Sequence, residues 1–158
     1  MKLCALIIDD SRIMRNMVME ALRKMNLAEF EFVEAGDGAD ALTKFDERID
    51  IAFIDWNMPK MSGIEFVRQV RQQRVAAGVP LIMVTSESTM GKIEQALDQA
   101  GASQYITKPF TLEEMKRKVA KHITEAIERR KKLSAPASTA PKPAEKPAKG
   151  FFSKLLNG

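Results

Sequence analysis

Three aspartates, a threonine and a lysine stand at the ends of short apolar runs. Asp9 and Asp10 close "LCALIIDD", Asp55 closes "DIAFID", Thr85 closes "PLIMVT", and Lys108 follows "SQYIT". A buried run does not normally stop on a carboxylate unless something compensates the charge. Taken singly, each acid also reads as a turn residue; Asp55 would accept backbone hydrogen bonds before Asn57-Met58-Pro59. If the runs lie side by side, however, three carboxylates, a hydroxyl and an ammonium meet at one edge. Neighbouring carboxylates repel unless a cation sits among them. Hard oxygen ligands with positions left for water suit Mg²⁺. A divalent ion beside a carboxylate, with a hydroxyl and an ammonium at hand, is a set of parts for holding a phosphoryl group on that carboxylate.

The elements that must position these groups alternate in two periodicities. Residues 3–8, 30–35, 50–55, 80–85 and 103–107 are short, apolar or β-rich runs. Between them apolar residues recur at helical spacing: Ile13, Met17, Ala21, Leu22 and Met25; Ala41, Leu42 and Phe45; Ile64, Val67 and Val70; Ile93, Ala96, Leu97 and Ala100. A fifth stripe runs through Leu112, Met115, Val119, Ile123 and Ile127. Ser62 with Glu65, and Thr111 with Glu114, are capping-box pairs that open the third and fifth helices. Continuous apolar strands separated by helices predict an α/β domain, a doubly wound parallel sheet of five strands covered by five helices, over residues 1–130. In such sheets ligands collect at the carboxyl ends of the strands, where the acids fall.

Composition narrows the function classes. The chain has 158 residues, a single cysteine (Cys4) and a single histidine (His122). Those counts exclude an intrachain disulfide and a zinc site built on His and Cys; Cys4 reads as a small buried hydrophobe and His122 as a surface residue. The apolar run after Met1 is too short for a leader or a membrane span, so a cytoplasmic protein is expected. Residues 128–158 carry eight bases and two acids, so residues 1–127 hold a net charge of −2 although the whole chain is +4. Nucleic-acid binding needs a basic face on the folded domain, and none is expected.

The segments "LIIDDSRIMR", "FIDWNMPKMSG", "MVTSE" and "GASQYITKPFT" resemble the receiver domain of bacterial two-component response regulators, and within it the chemotaxis regulators. The resemblance spans about residues 1–125 and implies a flavodoxin-like strand order 2-1-3-4-5. It implies that Asp55 is the phosphoacceptor, and that Asp10 holds Mg²⁺ directly, Asp9 through water, with Asp55 and the Asn57 backbone carbonyl completing the set. Thr85 then matches the switch hydroxyl, Lys108 the cation that pairs with the phosphoryl group, and Tyr105 the aromatic that turns inward with Thr85. Lys108–Pro109 is expected to be cis. Asn57 and Glu87 match the variable positions associated with rapid loss of the phosphoryl group. Implied partners are a sensor histidine kinase and a downstream target protein (a motor, a phosphatase or another regulator), with a monomeric chain.

Rival readings are an unphosphorylated adaptor with the same fold, a phosphorelay intermediate, and an aspartyl-phosphate phosphatase. The adaptor needs none of the five site residues. The phosphatase needs a second acid two positions after its nucleophile, where this chain has Asn57, so no enzyme acting on external substrates is expected. Residues 131–149 read as an Ala/Pro/Lys-rich linker in a disordered tail. Residues 150–158 read as a docking peptide whose Phe151, Phe152, Leu155 and Leu156 share one stripe of a helical turn.

Overall fold

The computed structural model describes residues 1–134. The expected docking peptide, and all of the expected linker beyond residue 134, lie outside the described residues. Five strands, β1 (Lys2–Ile8), β2 (Glu29–Ala35), β3 (Ile51–Ile54), β4 (Leu81–Thr85) and β5 (Gln104–Thr107), alternate with helices. The helices are α1 (Arg12–Met25), α2 (Gly38–Lys44), α3 (Gly63–Val70), α4 (Met90–Glu94) and α5 (Leu112–Leu133). All pairings are parallel and the order is β2-β1-β3-β4-β5, the doubly wound arrangement expected.

The pleat explains the two cores. Leu3, Ala5 and Ile7 of β1 point to one face with Phe53, Ile82, Val84 and Ile106, where α1 and α5 cover them. Cys4, Leu6 and Ile8 point to the other face with Ile54, Leu81 and Met83, beneath α3 and the α4 region. Alternate residues of a strand project to opposite faces, so a strand buried on both must be apolar throughout. Both expected capping boxes form, Ser62 with Glu65 and Thr111 with Glu114.

Two local expectations fail. The fourth stripe is not one regular helix: α4 stops at Glu94 and a π-helical stretch, Gln95–Ala100, continues it to Gly101, whose φ is 102°. The wider turn keeps Ala96 and Ala100 buried while α4 itself buries nothing. His122 is not on the surface; it is 6% exposed. It stands three residues after Val119 and four before Ala126, both buried, so helical spacing turns it inward despite the basic residues around it. Its Nδ1 lies 3.2 Å from Glu125 Oε1.

A buried ion pair fixes the far end of α5. Asp50, 2% exposed, accepts from the Cys4 amide at 2.8 Å and from Arg130 Nε at 2.8 Å. Arg130 also donates to the Glu47 carbonyl at 3.0 Å, so α5 is tied to the loop that enters β3. No helix among the described residues is long and apolar enough to cross a membrane.

Candidate phosphoacceptor and metal site

Strand register assembles the site. Ile8 pairs with Ile54, so the next residues of β1 and β3, Asp9 and Asp55, emerge side by side at the carboxyl edge of the sheet. Thr85 pairs with Thr107, which places Lys108 one residue beyond Thr85 on the neighbouring strand. The Asp55 amide donates to the Ile8 carbonyl at 2.9 Å and the Lys108 amide to the Thr85 carbonyl at 2.9 Å, so the ladder continues into the site. The Lys108–Pro109 peptide is cis, as expected.

Carboxylate oxygens of Asp9, Asp10 and Asp55 all lie within 4.8 Å of one another. Lys108 Nζ is 2.9 Å from Asp9 Oδ2 and 3.6 Å from Asp55 Oδ1. One ammonium against three carboxylates leaves an excess of negative charge among oxygen donors, in a site where Asp9 and Asp55 are buried and Asp10 is exposed. Burial pushes the Asp55 carboxyl above its usual range; Lys108 opposes that, Asp9 adds to it, and the Thr85 hydroxyl and Trp56 amide oppose it. That donor set fits a hard divalent cation. The acids are also held in place: Asp55 Oδ1 accepts from the Trp56 amide at 2.8 Å, and Asp9 Oδ1 from the Ser11 amide at 2.9 Å.

The sequence-predicted neighbours take definite positions. Thr85 is fully buried and its Oγ1 accepts from the Glu87 amide at 3.3 Å. Tyr105 is 3% exposed and donates its hydroxyl to the Glu87 carbonyl at 2.6 Å. Asn57 turns its amide to Glu87 Oε2 at 2.7 Å. Glu87 is therefore the meeting point of three chain segments. Burial first, then the Glu87 and Asp55 charges, pushes the Tyr105 phenol up to about 12. Trp56 is buried and Lys92 of α4 lies over its ring at 4.6 Å. Phe151, Phe152, Leu155 and Leu156 lie outside the described residues.

Three supporting residues escaped the sequence reading. Gly63 packs so closely that a Cβ there would sit 1.8 Å from the Asp55 carbonyl oxygen; the Gly after the Ser62 cap was the available signal. Arg15 donates to the Asp9 carbonyl at 2.7 Å and pairs with Glu34 at 2.8 Å, tying the acidic turn to α1 and β2. Lys92 had no signal, since its partner is set by tertiary packing.

Comparison with known proteins agrees with this geometry. The response regulator receiver domain family matches residues 5–120. A Campylobacter jejuni chemotaxis protein CheY homolog is 39% identical over 117 residues, 72% of this chain and 87% of the relative. The structure of Vibrio cholerae chemotaxis protein CheY4 is similar, with a TM-score of 0.62 and 32% identity, covering 82% of this chain and 98% of that one. The receiver domain of a Pseudomonas aeruginosa sensor histidine kinase, with a magnesium ion coordinated in its active site cleft, gives a TM-score of 0.63 at 27% identity, covering 74% of this chain and 93% of that one.

Proposed function

The chain belongs to the response regulator receiver domain family, and from that premise we infer that it accepts a phosphoryl group on Asp55 from a sensor histidine kinase and signals by phosphorylation-dependent protein binding in chemotaxis or motility. The observation that carries this reading is the convergence of Asp9, Asp10 and Asp55 within 4.8 Å around an ammonium shared between two of them. The chemotaxis assignment rests on the relatives named for it.

In this reading an Asp55 oxygen attacks the phosphorus of a phosphohistidine. A P–O bond forms, the P–N bond breaks, and the imidazole leaves with the electron pair. Asp9, Asp10, Asp55 and the Asn57 carbonyl would hold Mg²⁺, which when bound neutralises phosphoryl oxygens. Lys108 already bridges Asp9 and Asp55 and needs only a small shift to pair with the incoming group. The Thr85 hydroxyl donates to a phosphoryl oxygen; its movement releases the Glu87 amide and, through Tyr105, reshapes the α4–β5–α5 face. Asn57 and Glu87, joined to each other at 2.7 Å, would set how water reaches the acyl phosphate. The protein is then a signalling component, cytoplasmic and monomeric, that catalyses only its own phosphorylation and dephosphorylation. Its partners are the kinase and a downstream target, with no nucleic acid or membrane.

A phosphorelay intermediate is the second reading, favoured by the likeness to a kinase-borne receiver. Transfer of the phosphoryl group onward to a histidine phosphotransfer protein, faster than to water, separates it from the first. The test of both begins with acetyl phosphate and Mg²⁺, expected to add one base-labile phosphoryl group that Asp55→Asn abolishes. Trp56 emission should change as millimolar Mg²⁺ is added. Undiminished labelling of Asp55→Asn removes the assignment, and a flat titration of the folded protein removes the metal site.

A further inference from the structure

Asp9 and Asp10 are consecutive, yet their surroundings differ. Every polar atom of Asp9 has a partner. Its amide donates to the Ala35 carbonyl at 3.1 Å, and its carbonyl accepts from Arg15 Nη1 at 2.7 Å. Its carboxylate takes the Ser11 amide at 2.9 Å on one oxygen and Lys108 Nζ at 2.9 Å on the other. Asp10 is exposed, and none of these bonds reaches its carboxylate. The Asp9 carbonyl and the Asp10 amide belong to one rigid peptide plane. The guanidinium that grips that carbonyl therefore also fixes the plane from which Asp10 departs. Arg15 is itself held: its Nε donates to Glu34 Oε1 at 2.8 Å, and Lys44 Nζ fastens the Glu34 carbonyl at 2.7 Å. Helix α1 has Arg12 and Arg15 near its start and no acid in its first turn. A helix N-terminus favours the opposite sign of charge, so the reason for Arg15 lies outside the helix.

We propose that Arg15 is a positioning residue that holds Asp10 ready for the divalent cation, and that Glu34 answers the guanidinium's charge so that Arg15 does this without repelling that cation. The role rests on the metal site of the proposed function. An arginine suits it, because a planar fork reaches two oxygens at once, the Asp9 carbonyl and the Glu34 carboxylate. A lysine ammonium is a single point charge on a flexible stem and does not span both in a fixed geometry. Charge and position make opposite forecasts for the loss of Arg15. By Coulomb's law alone, taking a positive charge away from beside a cation site tightens binding. If Arg15 positions Asp10, the same change weakens binding, since a side chain that holds a metal ligand in place is worth about tenfold or more in affinity. The sign separates the two.

The test titrates Mg²⁺ alone into the full chain, followed by Trp56 emission and independently by calorimetry. Arg15→Met keeps the apolar stem and loses the fork; it should weaken Mg²⁺ binding about tenfold. Arg15→Lys should fall between that variant and the native chain, and it carries the test by itself if Arg15→Met does not fold. Glu34→Gln leaves the guanidinium unanswered and should weaken binding about twofold at low ionic strength, a loss that fades in high salt. The Arg15→Met loss should persist in high salt, because it is a loss of geometry. Its shortfall in labelling by acetyl phosphate should close as Mg²⁺ is raised. Native or tighter Mg²⁺ binding by folded Arg15→Met, or native binding by Arg15→Lys, overturns the proposal. So does a labelling deficit that Mg²⁺ does not relieve. Unchanged binding by Glu34→Gln at low salt removes the glutamate's part. A native chain that takes up no Mg²⁺ removes the metal site itself, and the role of Arg15 with it.

Discussion

Strand β3 is flanked by two buried aspartates at opposite ends of the sheet, and their surroundings differ in kind. Asp50 is 2% exposed and fully partnered, with the Cys4 amide on one oxygen and the Arg130 guanidinium on the other. Asp55 is 8% exposed and shares its nearest cation with Asp9, whose oxygen that ammonium approaches more closely, 2.9 against 3.6 Å. One carboxylate is a clamp whose charge is answered by its own guanidinium. The other lacks a dedicated counter-charge, and its carboxyl is pushed up by burial. Burial alone does not mark a reactive acid; incomplete compensation does.

The sharpest way to break that contrast is to exchange the lesions. Asp55→Asn should remove phosphoryl labelling entirely, while Asp50→Asn should keep it near the native level. Comparable labelling of both variants would erase the distinction. Stability should then move in the opposite sense. Asp50→Ala strands the Arg130 charge and should cost about 3 kcal/mol, read as a lower midpoint in urea. Arg130→Ala should cost a similar amount and the double variant little more; simple additivity would mean the two do not act as a pair.

A smaller effect is expected from Asp55 itself. Its folded pKa lies above the unfolded value, so its contribution to stability is fully present below the unfolded pKa and lost as pH rises through the folded one. At pH 7 in chelator the ionised side chain is a burden. Asp55→Asn should raise Tm by a few degrees, on the order expected for about 1 kcal/mol in a domain of this size, and the gain should shrink on acidification. A lower Tm at pH 7 would contradict the picture of an under-compensated acid. The smallest signal is optical. Tyr105 is the only tyrosine, and with its phenol at about 12 roughly a tenth should be ionised at pH 11, against about nine tenths for an ordinary phenol. Absorbance of the phenolate band reads this directly; ordinary titration would place Tyr105 in solvent.

This contrast also shows what sequence reading reaches. The strand alternation, both capping boxes and the alignment of the acids followed from local periodicity, because strand burial on two faces and helix burial on one leave distinct patterns. "DIAFID" ends in an aspartate on both sides, yet nothing local distinguishes them. Asp50 is settled by Arg130, eighty residues away, and a long-range partner leaves no trace in either segment. The break between α4 and the π-helical turn was hidden for a related reason: both periods keep Ala96 and Ala100 inward. His122 was legible, and the basic composition around it outweighed the spacing.

Glu87 joins Thr85 through its amide, Tyr105 through its carbonyl and Asn57 through its carboxylate. The first two groups belong to the backbone and survive almost any substitution there; only the third is specific to glutamate. The position is thus separable into a fixed hinge pin and an adjustable stop. Exchanging the side chain would free Asn57 and leave both backbone links, to Thr85 and to Tyr105, in place, so under the proposed function the lifetime of the message would change independently of its content.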